Sequence, residues 1–591
     1  MRILGIHDGH NASACIYNDG RIEAMVSEER FSRKKNHSGF PDLAVQWLVN
    51  EYGVAADNID LVAVAGLVEP MQEFGKHAGP WYRMASIMAK FLPSKIRTSG
   101  ALAKSYLALR AFGGSRNKSL GRRLAIYDIP ESKIKLVDHH TCHAHAAYWL
   151  DYRRTPGSTL IITLDNTGDG ICGSVSIAED SGKFRTIKSY QSLNSVGMMY
   201  TAITTYLGLK ALEDEHKVMG LAPYAKSIQV ESLSRMLMRY LNLTDDGLGF
   251  VNKAGLWGET YTKRFQKELV GFRFDAIAGG VQRYLENIAT NFLKAWSRKT
   301  GIRKLALGGG VFMNVKLNML INETEEFEEV YFLPSCSDES IAAGAALKCA
   351  FDLHRSAGKK FNPEPVRTLY LGPEFSERDV AAALQKYDGR LQWKKCEDIE
   401  RKTAELLAQN YVVGRFSGRM EFGARALGNR SILARPDSLN NVRRINAAIK
   451  QRDFWMPFCS SVLWERRHDY IANNHKDSLA PYMILAFQST ELARKELIAA
   501  LHPSDLSCRP QIVERDWNPK YHRLIQHFEE LTKIGGVLNT SFNLHGYPVV
   551  CTPEDAIETY LQSDLDVVTL EDYMAWDSNR LDKDSAVFSE H

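Results

Sequence analysis

Arg2-Ile-Leu-Gly-Ile-His7-Asp8-Gly9-His10-Asn11-Ala12-Ser-Ala-Cys-Ile-Tyr17-Asn18-Asp19-Gly20-Arg21-Ile-Glu-Ala-Met-Val-Ser27 is the stretch from which the fold can be read. Residues 2–7 read as a strand, 8–11 as a turn and 12–17 as a second strand. Asn18-Asp19-Gly20 supplies hairpin turn chemistry, because these residues tolerate the left-handed conformations of a tight turn, and 21–27 runs back as a third strand. The same grammar returns later. An apolar run at 158–164 ends in Asp165, a polar turn covers 166–170, and a strand follows at 173–177. After Glu179-Asp180-Ser181-Gly182, another strand occupies 184–190. Two strand–turn–strand–turn–strand units, each with an aspartate after its first strand, predict a duplicated α/β domain.

The pattern resembles the two-lobed actin-like and sugar-kinase-like ATPases, which hold a nucleotide between their lobes and point backbone N–H groups and carboxylates at phosphates and metal. Further along, 280–296 reads as a long amphipathic helix, 304–307 as a strand running into Gly308-Gly309-Gly310, and 330–333 as a strand before a helix beginning near Asp338. Around 356–377 the chain turns Gly-, Pro- and Lys-rich, which marks a linker. The expected layout is a first domain over 1–355, a second α/β domain over 378–576 and a polar tail over 577–591.

The chain has 591 residues, of which 45% are hydrophobic and 24% charged, enough for two to four domains with sizeable cores and no need of a disulfide or metal staple. Its 74 basic and 70 acidic residues leave a net charge of +4, too little to argue for a nucleic-acid partner. Nine scattered cysteines without a CxxC pair indicate a reducing compartment in which most thiols act as small hydrophobes. The apolar start is too short for a signal peptide, and no run of about 18 apolar residues occurs, so a cytoplasmic protein without a transmembrane segment is expected. Between Phe74 and Arg123 stand eleven Lys or Arg and no acid, interleaved with Trp81, Tyr82, Phe91, Tyr106 and Phe112. This is either a basic helical insert packed on the main body or a surface for an anionic or membrane-associated acceptor.

Three constellations carry chemistry. In Asp138-His139-His140-Thr141-Cys142-His143-Ala144-His145, His139 and His143 share one helix face and can grip one metal. The second position of a protease HExxH motif, a glutamate, is here His140, which removes that reading; histidines capping and lining a packed interface are the other one. Asp165 and Asp338 are matching carboxylates, and the four together suit iron, manganese or zinc. Gly309, Gly310 and Asn314 in Gly308-Gly-Gly-Val-Phe-Met-Asn314 suit close approach of a nucleotide. The densest polar cluster contains Arg415, Ser417, Arg419, Glu421, Arg425, Asn429 and Arg430, followed by Lys450, Arg452 and Asn539-Thr-Ser541-Phe-Asn543. Four guanidinium groups beside one glutamate lack enough local partners for surface salt bridging, which favours phosphate or phosphoanhydride binding.

These motifs identify a resemblance over almost the whole length. Asp8-Gly-His10, Glu28-Glu29-Arg30-Phe-Ser-Arg33-Lys-Lys35, the HHxxH run, His216-Lys217-Val-Met219-Gly220, Gly309-Gly-Val-Phe-Met-Asn314, Met420-Glu-Phe-Gly-Ala-Arg425-Ala-Leu-Gly-Asn-Arg-Ser431 and Asn539-Thr-Ser-Phe-Asn543 resemble the ATP-dependent O-carbamoyltransferases of the nodulation, cephamycin and tobramycin type. The resemblance implies a TsaD-like, duplicated actin-fold N-terminal domain and a YrdC-like α/β C-terminal domain. The second would join carbamoyl phosphate and ATP, with Mg²⁺, into carbamoyl-adenylate. The first would hold the adenylate on a metal, iron in the family's characterised case, and pass the carbamoyl group to a small-molecule hydroxyl of a natural product or sugar. By motif position His139, His143, Asp165 and Asp338 match the metal ligands. Arg425, Lys450, Arg452, Arg509, Ser541 and Asn543 match positions around carbamoyl phosphate, and Asp8, His10 and Lys35 would line the transfer site, with Asp8 or His10 as base.

Three departures stand out. The family's Asp-Gly-x-Gly-Glu is Asp165-Asn-Thr-Gly168-Asp169, with a shorter carboxylate facing adenylate or acceptor. The family's usual proline is Ala424, and the motif before Arg509 reads His502-Pro-Ser-Asp-Leu-Ser-Cys-Arg509. The competing expectations are a threonylcarbamoyl-type transferase acting on tRNA and a non-catalytic nucleotide-binding scaffold, which would show a degraded metal set. A homodimer is expected from size alone.

Overall fold

The computed structural model describes residues 1–70, 116–180, 182–472, 476, 480–577 and 579–580. Most of the expected basic insert at 74–123 therefore lies outside the described residues, its end forming the helix Arg116–Leu124; the tail lies outside them from 581 onward. The chain divides into two compact units, one of Met1–Glu28 with Asn36–Arg367, the other of Glu29–Lys35 with Thr368–His591. A seven-residue strap from the N-terminal part thus belongs to the second unit.

In the first unit, β1 (Arg2–His7), β2 (Ser13–Asn18) and β3 (Arg21–Ser27) form an antiparallel meander, and β4 (Leu61–Ala65) and β5 (Ile134–Val137) add in parallel beyond β1, giving the order β3-β2-β1-β4-β5. The second sheet repeats this. β6 (Thr159–Gly168), β7 (Ile171–Ala178) and β8 (Phe184–Gln191) meander, and after the small pair β9 (Leu241–Leu243) and β10 (Phe250–Asn252), β11 (Lys304–Gly308) and β12 (Glu329–Phe332) add in parallel, giving β8-β7-β6-β11-β12. The duplication read from the hairpins is therefore a repeated sheet topology, the α/β actin-like arrangement. The first strand of each sheet is central, which is why both apolar runs are buried along nearly their whole length.

β6 runs farther than its apolar run, to Gly168, with an irregularity of register between Leu164 and Gly168. That bulge re-aims Asp165 out of the alternating pattern. Two helices, His139–Trp149 and Ile341–Ser356, pack so closely that a methyl group on Gly344 would stand 1.9 Å from the Cys142 carbonyl oxygen, and one on Gly5 of β1 2.3 Å from that of Ala342. The long helix expected near 280–296 spans Phe274–Thr300 and ends at Gly301 in the left-handed conformation that glycine favours.

The second unit is built on one mixed sheet. Its strands are β13 (Gln392–Lys395), β14 (Val413–Phe416), β15 (Arg430–Ala434), β16 (Cys459–Leu463), β19 (Gln511–Val513), β20 (Gly536–Ser541), β21 (Val567–Leu570) and β22 (Tyr573–Trp576), in the order β13-β22-β21-β14-β15-β20-β16-β19; a small pair, β17 (Ile471–Ala472) and β18 (Gln488–Ser489), lies apart. Its core includes Val412, Phe416, Ile432, Leu538, Phe542, Val568 and Tyr560. The strap is pinned inside this unit: Arg30 Nη2 donates to the Gly423 carbonyl (2.6 Å), Arg33 Nη1 to that of Val549 (2.7 Å), and Phe31 packs on Met420, Val549 and Cys551. Among the described residues, no helix is long and apolar enough to cross a membrane.

The helix crossing at Gly344 gives the first prediction. Gly344→Ala has no space for its methyl group against backbone and is expected to cost about 3 kcal/mol, read as a lower unfolding midpoint by circular dichroism; an unchanged midpoint would refute the close crossing.

Candidate functional site

The helix His139–Trp149 starts with Asp138 as its N-cap, whose side chain accepts from the Thr141 N–H (2.8 Å). Its first turn presents His139, and His143 one turn on. Their Nε2 atoms lie 3.2 Å apart. Asp165 Oδ2, from the bulge of β6, is 3.3 Å from His139 Nε2 and 3.9 Å from that of His143. Asp338 Oδ1, on the short turn after β12, is 3.5 and 3.4 Å from the same two atoms. All four donor atoms fit within 4.8 Å of one another. A metal–ligand bond of about 2.1 Å sets ligand–ligand edges of roughly 3.0–3.4 Å in octahedral or tetrahedral geometry, so these side chains match the donor set a divalent cation requires. Their mixed nitrogen and oxygen chemistry suits iron, manganese or zinc. Burial opposes a charged His139, yet the charges of Asp338 and Asp165 and their hydrogen bonds outweigh it and push its pKa well above the usual imidazole value. Asp338 is held well below the carboxylate range because the same histidines overcome its desolvation.

The residues around the cluster hold it in shape. A methyl group on Gly168 would meet the His139 ring at 2.2 Å, one on Gly309 (φ +97°) the Leu164 carbonyl oxygen at 2.2 Å, and one on Gly310 the Asp165 carboxylate at 2.7 Å. The Gly310 N–H donates to Asp165 Oδ1 (3.0 Å). The Asp169 carboxylate accepts from the backbone N–H groups of His139, Leu67 and Val68 (2.9–3.0 Å), so it ties the helix N-terminus to the segment after β4. Asn314 caps its helix and pairs amide to amide with Gln282 (2.8 and 3.1 Å). His140 and His145 are packing residues. The first bonds Thr163 and the Ile171 carbonyl; the second accepts from Trp149 and stacks on Phe184.

Asp8, which follows β1, is buried and pairs with Arg116 Nη2 at 3.0 Å. His10 is half-buried and accepts at its carbonyl from His7 Nε2 (2.9 Å), the same ring nitrogen that lies 4.0 Å from Asp338 Oδ2. Sequence reasoning missed both His7 and Arg116. His7 looked like the end of a strand, and Arg116 was one of eleven cations in a basic stretch whose partners lie far away in sequence. Lys35 sits in the second unit, whereas Asp8 and His10 sit in the first.

The arginine-rich loop of the second unit has more local partners than a count of its acidic residues suggests. Some of its guanidinium donors find partners, chiefly backbone carbonyls, while Arg415 Nη2 and Arg430 Nε and Nη2 are buried without a hydrogen-bond partner among the described residues. Arg415 donates to the Gly428 carbonyl (2.7 Å) and to Asn429 Oδ1; Arg419 to the carbonyls of Gly372 and Leu371 (both 3.0 Å); Arg430 to those of Ser417, Gly418 and Asn429 (2.9–3.1 Å). Asn429 links the Arg419 carbonyl and Asn518, and Glu421 Oε1 accepts from the N–H groups of Leu427 and Arg430. Arg430 is fully buried, with its guanidinium 3.5 Å from the centre of the Phe416 ring. Arg415, Ser417, Arg419, Asn429 and Arg430 therefore brace one another. Arg425 is half-buried in the same loop.

A second cluster of cations is likewise held by uncharged acceptors. Lys450 closes a π-helical turn, Asn446–Lys450, and is 2% exposed. Its Nζ donates to the carbonyl (2.5 Å) and Oγ (3.1 Å) of Ser541 and to the Oδ1 (2.8 Å) and carbonyl (3.3 Å) of Asn543, all uncharged acceptors. Arg452 donates to Thr540 Oγ1 (3.2 Å), and Arg509 to the sulfur of Cys459. None of these three cations has a carboxylate partner among the described residues. Burial, then the charges of Arg452 and Lys35, pull the Lys450 pKa well below the ordinary lysine value. Arg452 is pulled down to about 10, chiefly by burial, with Cys459 opposing and Arg509 adding. Cations grouped in this way, without a carboxylate among their described partners, have the chemistry to meet an anion.

Comparison with known proteins gives the family. Residues 2–347 match the family described as carbamoyltransferase N-terminus, and 404–576 the one described as carbamoyltransferase C-terminus. The class follows first: the chain is a transferase built of two α/β units. More narrowly, it belongs to the carbamoyltransferase family. Nodulation protein NolNO of Sinorhizobium fredii is similar, at 30% identity over 577 residues, covering 96% of this chain and 78% of that one. So is the uncharacterized protein MJ1051 of Methanocaldococcus jannaschii, at 31% over 584 residues, covering 97% and 99%. Nodulation protein NolO of Bradyrhizobium diazoefficiens is 32% identical over 435 residues, covering 73% and 77%.

Two outcomes are expected. His139→Ala and Asp338→Ala should each lower affinity for a divalent metal by at least about 100-fold, measured as metal content of the purified protein by atomic emission. Gly168→Ala should lower it too, by displacing the His139 ring. Full metal content in all three would remove the site.

Proposed function

We propose that this protein activates carbamoyl phosphate with ATP and Mg²⁺ in the part of its second unit that spans 378–576, and transfers the carbamoyl group to a small-molecule hydroxyl in its first. The observation that carries the reading is the trio Lys450, Arg452 and Arg509, three cations whose partners among the described residues are uncharged. Carbamoyl phosphate is a dianion and supplies the missing counter-charge. Arg425, Ser541 and Asn543 complete its surroundings, and Lys35 adds charge beside Lys450. Carbamoyl-adenylate forms with atoms in balance when water releases phosphate from carbamoyl phosphate and the carbamate oxygen attacks the α-phosphorus of ATP, expelling pyrophosphate. The mixed anhydride is water-sensitive, so shielding it is part of the chemistry.

At the transfer step the acceptor oxygen bonds to the carbamoyl carbon, AMP leaves, and the hydroxyl proton passes to Asp8 or His10. Arg116 fixes the Asp8 carboxylate for that role. Fe(II) or another divalent metal held by His139, His143, Asp165 and Asp338 would supply Lewis-acid polarisation of an anhydride or leaving phosphate. The acceptor is a natural-product or sugar hydroxyl, since a net charge of +4 gives no strong field for nucleic acid.

Incubation with ATP, carbamoyl phosphate and Mg²⁺ should yield pyrophosphate and carbamoyl-adenylate, with the rate falling at least about 100-fold in Lys450→Met. His139→Ala should keep pyrophosphate formation and lose transfer; loss of both steps would refute the division of labour. Binding a dianion beside Lys450 raises its depressed pKa, so carbamoyl phosphate binding should take up protons in the alkaline range below the ordinary lysine value. Calorimetry in two buffers of different ionisation enthalpy reads this, and identical heats would contradict it.

A further inference from the structure

Cys459 begins β16, and its sulfur behaves unlike those of Cys142, Cys172 and Cys336, which give their S–H to backbone carbonyls. It accepts instead. Arg509 Nε and Nη2, the adjacent donors on one edge of the guanidinium, lie 3.1 and 2.8 Å from the Cys459 sulfur. The backbone leading to Arg509 is already pinned. Cys508 exchanges N–H···O bonds with Phe487 in both directions (2.8 and 2.9 Å), and the His502 N–H donates to the Ser507 carbonyl (2.9 Å). What remains free is the long side chain, and the sulfur is its hydrogen-bond partner among the described residues. Cys459 itself is 4% exposed and is fixed in the sheet opposite Asn539 of β20. Arg452 lies over the neighbouring Phe458 ring, 5.1 Å from its centre, and its charge is felt by both Cys459 and Arg509.

We infer that Cys459 is a positioning residue of the activation pocket: its sulfur holds the Nε–Nη2 edge of Arg509, leaving the Nη1 end for the anionic donor. This rests on the reading of the second unit given above. A guanidinium binds an oxyanion well only when its plane is set beforehand, because an unanchored arginine loses rotamer freedom on binding. The looser sequence before Arg509 thus has a compensating anchor on β16.

The test is calorimetric titration of carbamoyl phosphate, and separately of ATP, into the full-length protein and its Cys459→Ala and Cys459→Ser variants, alongside pyrophosphate release and thermal melts. Cys459→Ala should weaken carbamoyl phosphate binding about tenfold with ATP binding and melting midpoint unchanged, and Cys459→Ser, which keeps an acceptor atom, should restore it to within about threefold. Equal carbamoyl phosphate affinity in Cys459→Ala and wild type would overturn the inference. So would a parallel loss of ATP binding and melting midpoint in both variants, which marks a purely structural role. If the wild type binds carbamoyl phosphate, releases no pyrophosphate and still loses affinity on Cys459→Ala, the positioning role stands and the activation reading falls. No binding by the wild type would overturn both.

Discussion

Two imidazoles and two carboxylates meet at one point in the first unit, and the folding of that unit is arranged around the cost of putting them there. Taking such groups out of water is unfavourable unless each finds an opposite charge or a cation. The structure supplies them from three separate places: the first turns of the helix His139–Trp149, the bulge of β6 and the turn after β12. The glycines at 168, 309 and 310 exist for this convergence, since a methyl group at any of them would collide with a ligand or with the strand that carries one. Asp169 performs the same service at long range, spending its carboxylate on three backbone N–H groups so that the helix start and the end of the first sheet stay together.

The second unit applies the opposite economy to its cations. Arg415, Arg419 and Arg430 donate to carbonyl oxygens of their own loop and its neighbours, bonds that tie the loop together, while Arg415 Nη2 and Arg430 Nε and Nη2 have no hydrogen-bond partner among the described residues. Lys450, Arg452 and Arg509 are given hydroxyls, amide oxygens, carbonyls and one sulfur, which orient them without neutralising them. Positive charge is therefore concentrated where hydrogen-bond geometry is already fixed. This is the condition under which an anion binds with little reorganisation.

The strap Glu29–Lys35 shows how the chain economises on length. It leaves the first unit after Glu28, anchors Arg30 and Arg33 on carbonyls of the second, packs the half-buried Phe31 there, and returns at Asn36. A short run of basic residues beside the first hairpin thereby contributes to a pocket whose other members lie hundreds of residues downstream, and Lys35 adds its charge beside Lys450.

Much was legible in the sequence. Alternating hairpins ending in aspartate determined the duplicated sheets, because a period of two and a turn signal are local properties. Four-residue spacing determined that His139 and His143 share a helix face, and the glycine and asparagine signals located the turns and caps. Which charges stay uncompensated was decided by the tertiary structure alone. A count of arginines against glutamates cannot register backbone carbonyls as acceptors, so it missed the bonds that Arg415, Arg419 and Arg430 make to them. Nor can it show that a thiol on β16 meets Arg509, that Arg116 meets Asp8, or that β6 bulges to turn Asp165 inward, since each depends on strands and loops brought together from distant parts of the chain.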